Sequence, residues 1–246
     1  MAPASVTEAS LRVLSRTPVR LLALGAAAVL VMTTTVATPS GETTAPTLGR
    51  IEGIVRLVAP SGAPIASGAY QTRRVSRPAH RSYEISNVVV FVKDGARAGA
   101  LTTVRAQMVQ QDESFVPRFL AIARGSTVEF PNGDPYFHNV FSLSRGATFD
   151  LGRFPRGATR SRVFTRAGLV KVYCHLHSHM SASIMVFDHP HFVVPEGDGR
   201  FVLADVPAGP HRLSAWHERI GESAKDIVVE AGRTLKIEFA LPVDTQ

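Results

Sequence analysis

The segment "YCHLHSHM", residues 173 to 180, places the only cysteine of a 246-residue chain, Cys174, among His175, His177, His179 and Met180. Thiolate, imidazole and thioether groups are soft or borderline metal ligands. Structural zinc takes four Cys or His donors, and catalytic zinc keeps an open position among nitrogen and oxygen donors. One thiolate, two imidazoles and a weak thioether instead suit a trigonal copper site with a long axial methionine. The second imidazole then comes from elsewhere in the chain, and His138 in "FHNV" is available for it. Taken singly, each residue has a plainer reading. An unpaired cysteine is commonly a small buried apolar residue, and a lone histidine or methionine is commonly solvated or packed. The joint order of His138 and then Cys-x-x-His-x-x-Met carries the metal reading.

Strands must position these residues. Cys174 ends the apolar run "GLVKVYC", and the apolar run "SIMVFD" follows the loop. Valine-rich alternating segments of this kind favour β structure over helix. With 45% apolar and 19% charged residues, the chain is neither disordered nor fibrous, and its length allows one or two domains. The sequence has no G-x-S-x-G elbow, no H-E-x-x-H, no phosphate-binding glycine loop and no second cysteine-containing copper motif. Acidic clusters of calcium-site spacing are also missing. An enzyme is therefore not expected.

The stretch Phe115 to Ser144, with "RGSTVEFPN" and "HNV", and the stretch Ala167 to Val186, with "C-x-x-H-x-x-M" and "SIMVFD", resemble the cupredoxins, the blue copper proteins of the amicyanin and plastocyanin type. The resemblance implies an all-β fold, a Greek-key barrel or sandwich over residues 97–188. It also implies one type 1 copper per chain, with His138, Cys174, His177 and Met180 as ligands. Asn139 would tie the two ligand-bearing loops together. Longer ligand loops of the family would require methionine at 182 or 183, where Ala182 and Ser183 stand. Only the shortest loop places every ligand, which leaves His175 and His179 as neighbours. By the same resemblance the edge of His177 reaches the surface through an apolar patch, for which Pro135, Tyr136, Phe137 and Leu176 are candidates; ordinary packing around the metal is their alternative reading.

The segment "GDGRFVLADVPAGPHRLSAWHERIGESAKDIVVEAGRTLKIEFALP" alternates apolar residues between Gly- and Pro-containing turns. It resembles the carboxypeptidase regulatory-like, transthyretin-type β-sandwich but is too short for all of it. "GRIEGIVRLVAPSGAPIASGA" and "NVVVFVKDG" look like the missing opening strands. Residues 50–96 with 189–243 are therefore expected to form a second small β-sandwich interrupted by the cupredoxin; the alternative is that 50–96 add edge strands to the copper domain. Trp216 and Phe201 read as core or docking residues, His211 and His217 as exposed, and His189 and His191 as junction residues.

At the N-terminus, Arg12, Arg16 and Arg20 precede the apolar run Leu21 to Met32, and small residues follow at Thr35 and Ala37. Residues 1–37 read as a signal peptide, or as a retained N-terminal anchor giving membrane attachment, and 38–49 as a linker. The protein is then exported, to the periplasm or cell envelope. The formal charge of +7 suits an acidic redox protein or an anionic membrane surface as partner, with Arg153, Arg156, Arg160, Arg162 and Arg166 in one cluster and Arg73, Arg74, Arg77 and Arg81 in another; solvated loop arginines are the alternative reading. Nucleic acid is not an expected partner of an exported protein. Single-electron transfer between a donor and an acceptor redox protein is the expected function. A copper-binding or delivery module without that role is the alternative.

Overall fold

The structure, a computed structural model, describes residues 48–58, 84–93 and 99–242. The leader, most of the linker, and Arg73, Arg74, Arg77 and Arg81 lie outside the described residues. Among the described residues no helix is long and apolar enough to cross a membrane. The fold is all-β.

Two strands come first, β1 (Leu48–Val58) and β2 (Val88–Val92). Ten follow: β3 (Arg105–Gln107), β4 (Val109–Gln111), β5 (Ser114–Val116), β6 (Phe119–Ala123), β7 (Thr127–Pro131), β8 (His138–Ser142), β9 (Phe149–Phe154), β10 (Thr159–Val163), β11 (Gly168–Tyr173) and β12 (Ser181–Phe187). They form a five-stranded sheet in the order β6-β12-β11-β8-β9, a three-stranded sheet in the order β10-β7-β3, and the β4–β5 hairpin. Successive residues of a strand face opposite sides. Val128 and Phe130 of β7 therefore point inward together, as do Val170 and Val172 of β11. They meet in one core with Phe115, Val140, Phe154 and Ile184. Continuing the β11 alternation by one step carries Cys174 into the same core. The edge strand β10 is exposed at all five positions and carries Arg160 and Arg162, charges that discourage pairing with another sheet.

The last five strands are β13 (Phe192–Val193), β14 (Arg200–Pro207), β15 (Gly209–His217), β16 (Gly221–Val229) and β17 (Thr234–Pro242). They form two sheets with the first two, β14-β1-β17 and β13-β2-β15-β16. β1 lies between β14, antiparallel, and β17, parallel, while β2 lies between β13 and β15. The two sheets enclose a second core that includes Ile51, Val55, Val90, Phe201, Leu213 and Phe239. Gly53 of β1 lets the neighbouring strands close on it. A Cβ there would sit 2.5 Å from the Phe201 ring and 2.4 Å from the Ile237 carbonyl oxygen.

A third apolar cluster joins the two cores. Val89, Phe119 and Phe187 are buried there, against Phe91, Met185, Phe192 and Trp216. Ring centroids are 5.6 Å apart for Phe119 and Trp216 and 5.2 Å for Phe91 and Phe187. The Lys171–Glu218 ion pair links the two sides of this seam. Aromatic pairs contribute about 0.5–1.5 kcal/mol beyond their area, so the seam is a stable contact.

His217 departs from the expectation of exposure. It is 1% exposed, because β15 brings it under the turn that carries Glu84. Its Nε2 lies 3.0 Å from Glu84 Oε2, and its Nδ1 accepts the Arg219 N–H at 3.2 Å. His211 is half-buried, its Nε2 2.6 Å from the Pro207 carbonyl oxygen. His189 and His191 are both buried, and His189 Nδ1 accepts the His191 N–H. Burial holds the His189 and His217 rings below the ordinary imidazole range, in His217 against the opposing pull of Glu84.

Both the tight glycine and the buried imidazoles can be tested by stability. Gly53→Ala should destabilise the protein by about 1–3 kcal/mol through overpacking, read as a lower urea midpoint. The two imidazoles bind fewer protons folded than unfolded, so their contribution to stability is full above the unfolded value of about 6.5 and falls as pH drops below it. The thermal midpoint should decline from about pH 7.5 toward about pH 5, with a shallower decline in His217→Gln.

Candidate metal centre

Two β connections bring the centre together. His138 opens β8, directly after the turn "NGDPYF". Cys174 follows β11, and the loop to β12 holds His177 and Met180. That loop is short because β11 and β12 pair up to Tyr173 and Ser181. Inside it the Met180 N–H donates to the His177 carbonyl at 3.0 Å, and the Cys174 N–H donates to the Met180 carbonyl at 3.4 Å.

Three of the four expected ligands converge. His138 Nδ1 and His177 Nδ1 lie 3.8 and 3.9 Å from Cys174 Sγ and 3.1 Å from each other. An ion about 2.0–2.3 Å from each nitrogen and sulfur fits inside that triangle. Met180, the fourth, is 1% exposed and belongs to the same core cluster as Cys174. His138 is fully buried and His177 half-buried. Among the described residues this is the cluster of His, Cys and acidic side chains able to hold a metal ion.

The donor set matches a cation chemically as well. His138 Nε2 is 2.8 Å from Asp134 Oδ2; a ring that carries its proton on Nε2 donates it there and leaves Nδ1 bare for an ion. A bare nitrogen facing a second imidazole nitrogen and a thiol is a site that favours a positive ion. Soft sulfur with imidazole selects copper or zinc over magnesium or calcium.

The remaining histidines stay outside. His175 is exposed and stacks on Phe141 at 3.7 Å between centroids. His179 is exposed, with Nε2 3.3 Å from Glu113 Oε2. Asn139 bridges the ligand segments. Its Oδ1 accepts the His175 N–H at 3.4 Å, and its Nδ2 donates to Asp150 Oδ1 at 2.6 Å and to the Gly152 carbonyl at 3.1 Å. The Gly152 N–H and Asn139 together hold the Asp150 carboxyl below its ordinary range. Pro135, Tyr136, Phe137 and Leu176 are all exposed, and the Tyr136 and His177 rings lie 6.4 Å apart.

Sequence reasoning missed Asn132 and Asp134. Asn132 Oδ1 accepts the Asp134 N–H at 2.9 Å, while its Nδ2 donates to the carbonyls of Tyr136 and Phe154. The letters N-G-D-P announce a turn, yet nothing in them says that the carboxylate points at His138. Burial pushes the Asp134 carboxyl up, but hydrogen bonds from the Glu113 N–H, His138 and the Asp112 N–H outweigh it and leave the group below its ordinary range.

Asn139→Ala should cost about 1–3 kcal/mol, since it strips partners from a part-buried network. A thermal midpoint equal to that of the parent protein would show that Asn139 carries no such load.

No family model matches the chain, and no curated protein is similar to it. Solved structures similar to part of it include the purple cupredoxin from Nitrosopumilus maritimus, at 26% identity over 33% of this chain and 99% of that one, with a TM-score of 0.31. The copper-containing nitrite reductase from Thermus scotoductus SA-01 is 25% identical over 38% of this chain and 24% of its own, with a TM-score of 0.33. A reduced single-residue mutant of amicyanin is 19% identical over 40% of this chain and 98% of its own, with a TM-score of 0.32.

Proposed function

We propose that this chain is an exported type 1 copper protein that passes single electrons between redox partners. The observation that carries the reading is the triangle of His138 Nδ1, His177 Nδ1 and Cys174 Sγ, with the buried Met180 in the same loop. Copper bound there supplies a one-electron Cu(I)/Cu(II) couple.

The residues' part is to keep the donors still. His138 is buried and held from behind by Asp134, Cys174 sits at the end of a paired strand, and the 174–180 loop is closed by its own backbone bonds. Donors that do not move when an electron arrives keep the reorganisation small. No substrate is bound in this scheme, so the protein is a carrier and not an enzyme.

His177 is the half-buried imidazole of the set, and the exposed side chains of Tyr136, Phe137 and Leu176 accompany it. This apolar surface is the exit for the electron in our reading. The exposed Arg153 and Arg156 flank Phe154, whose carbonyl is tied through Asn132 to the Tyr136 turn. Charges placed there steer an acidic partner to the exit. In an exported protein a lone free thiol is a liability, and ligation of Cys174 to copper accounts for it.

The test is visible absorption and electron paramagnetic resonance of the Cu(II)-loaded protein beside Cys174→Ser. The expected result is an intense blue or green thiolate band with narrow copper hyperfine splitting, wholly lost in the variant. A colourless parent with ordinary tetragonal copper signals would overturn the proposal.

A further inference from the structure

We infer that Asp134 is a positioning residue of the metal centre: its buried carboxylate fixes His138 with the proton on Nε2 and Nδ1 bare, and its charge makes His138 a stronger donor that favours oxidised over reduced copper. This rests on the copper reading above and deepens it.

The carboxylate is built into its place. It is 5% exposed. Oδ1 accepts the Asp112 N–H at 2.7 Å, and Oδ2 accepts both the Glu113 N–H at 2.9 Å and His138 Nε2 at 2.8 Å. The two backbone donors come from the tip of the β4–β5 hairpin, a two-residue turn with φ of 52° at Asp112 and 51° at Glu113. Such a turn needs positive φ at both central residues and is ordinarily made with Asn-Gly or Asp-Gly. Left-handed geometry is disfavoured for a residue with a Cβ. Here two such residues adopt it, and the result is that both N–H groups aim at one carboxylate.

A turn cap alone would explain the backbone contacts but not the third one. Oδ2 is shared between the turn and the ring. A carbonyl oxygen would fix the tautomer equally well; a carboxylate adds charge. Among the described residues no Lys or Arg pairs with Asp134, and His138 is its only side-chain ion-pair partner. The negative charge is therefore directed into the imidazole instead of being neutralised elsewhere. Carboxylates behind metal-bound histidines orient the ring and raise its basicity. A more basic donor stabilises the higher oxidation state more than the lower.

The experiment uses the full chain and Asp134→Asn. Affinities for Cu(II) and Cu(I) are measured separately by chelator competition, and the reduction potential by redox titration. The expected result is a loss of about 10- to 100-fold in Cu(II) affinity, a smaller loss for Cu(I), and a raised potential. Should that variant fold poorly, Asp112→Asn with Glu113→Gly supplies an Asn-Gly turn that holds without the carboxylate, and Asp134→Asn is compared within that background. Nitrogen NMR of the metal-free parent adds a readout independent of copper: His138 should carry its proton on Nε2. Unchanged affinities and potential in a folded Asp134→Asn, or a proton on Nδ1 in the parent, would overturn the inference. Absence of the thiolate band in the parent would sink the type 1 reading alone, while the tautomer and the two affinities would still decide Asp134.

Discussion

Two imidazole nitrogens 3.1 Å apart, with a thiol beside them, make an arrangement that an unsupported chain would not keep. His138 and His177 belong to segments far apart in sequence, and holding each in place costs conformational entropy. The support comes from behind the donors. Asp134 grips the far side of His138, Asn139 holds the segment after Cys174, and the β11–β12 pairing closes the loop that carries His177. The rest of the domain serves this requirement. Inward alternation along β11 delivers the sulfur to the core, and the hairpin tip at Asp112 and Glu113 braces the carboxylate that braces the ring.

The second sandwich stands apart from this chemistry and meets the other domain through apolar packing and the Lys171–Glu218 ion pair. At its seam with the metal-site domain, Phe119 and Phe187 on the outer face of β6 and β12 meet Trp216 of β15. Those same strands present Ile122, Ala182 and Ile184 to the core behind the metal centre on their other face. A sheet buried on both sides has little freedom to bend, so the sandwich stiffens the strand that follows the ligand loop.

The all-β class could be read from the sequence because alternation is a local signal. The cluster of His138, Cys174 and His177 could be read because its elements are short and ordered: Cys174 and His177 sit within one loop, and only His138 had to be found at a distance. The carboxylate behind His138 could not. Asp134 stands in a turn where aspartate is common, and its meaning depends on where the β4–β5 hairpin tip lies in space. His217 misled for a related reason. Polar residues flank it in "WHERIGES", which reads as a surface turn, but Glu84 and Arg219 form a polar pocket around a buried ring. Side-chain chemistry that depends on partners distant in sequence is invisible to local pattern.

The parallel pairing of β1 with β17 has a kinetic consequence. β1 lies ahead of β3 to β12 and β17 behind them, so the central strand of its sheet must wait for the last described strand before that sheet is complete. Strands β3 to β12 are contiguous and can close on their own contacts much earlier. Non-local parallel pairing is slow because the loop must close before any contact rewards it. Once folded, that domain shortens the distance that the loop has to span. On this account the domain of the metal centre is also a folding clamp, bringing the two ends of the interrupted sandwich within reach of each other.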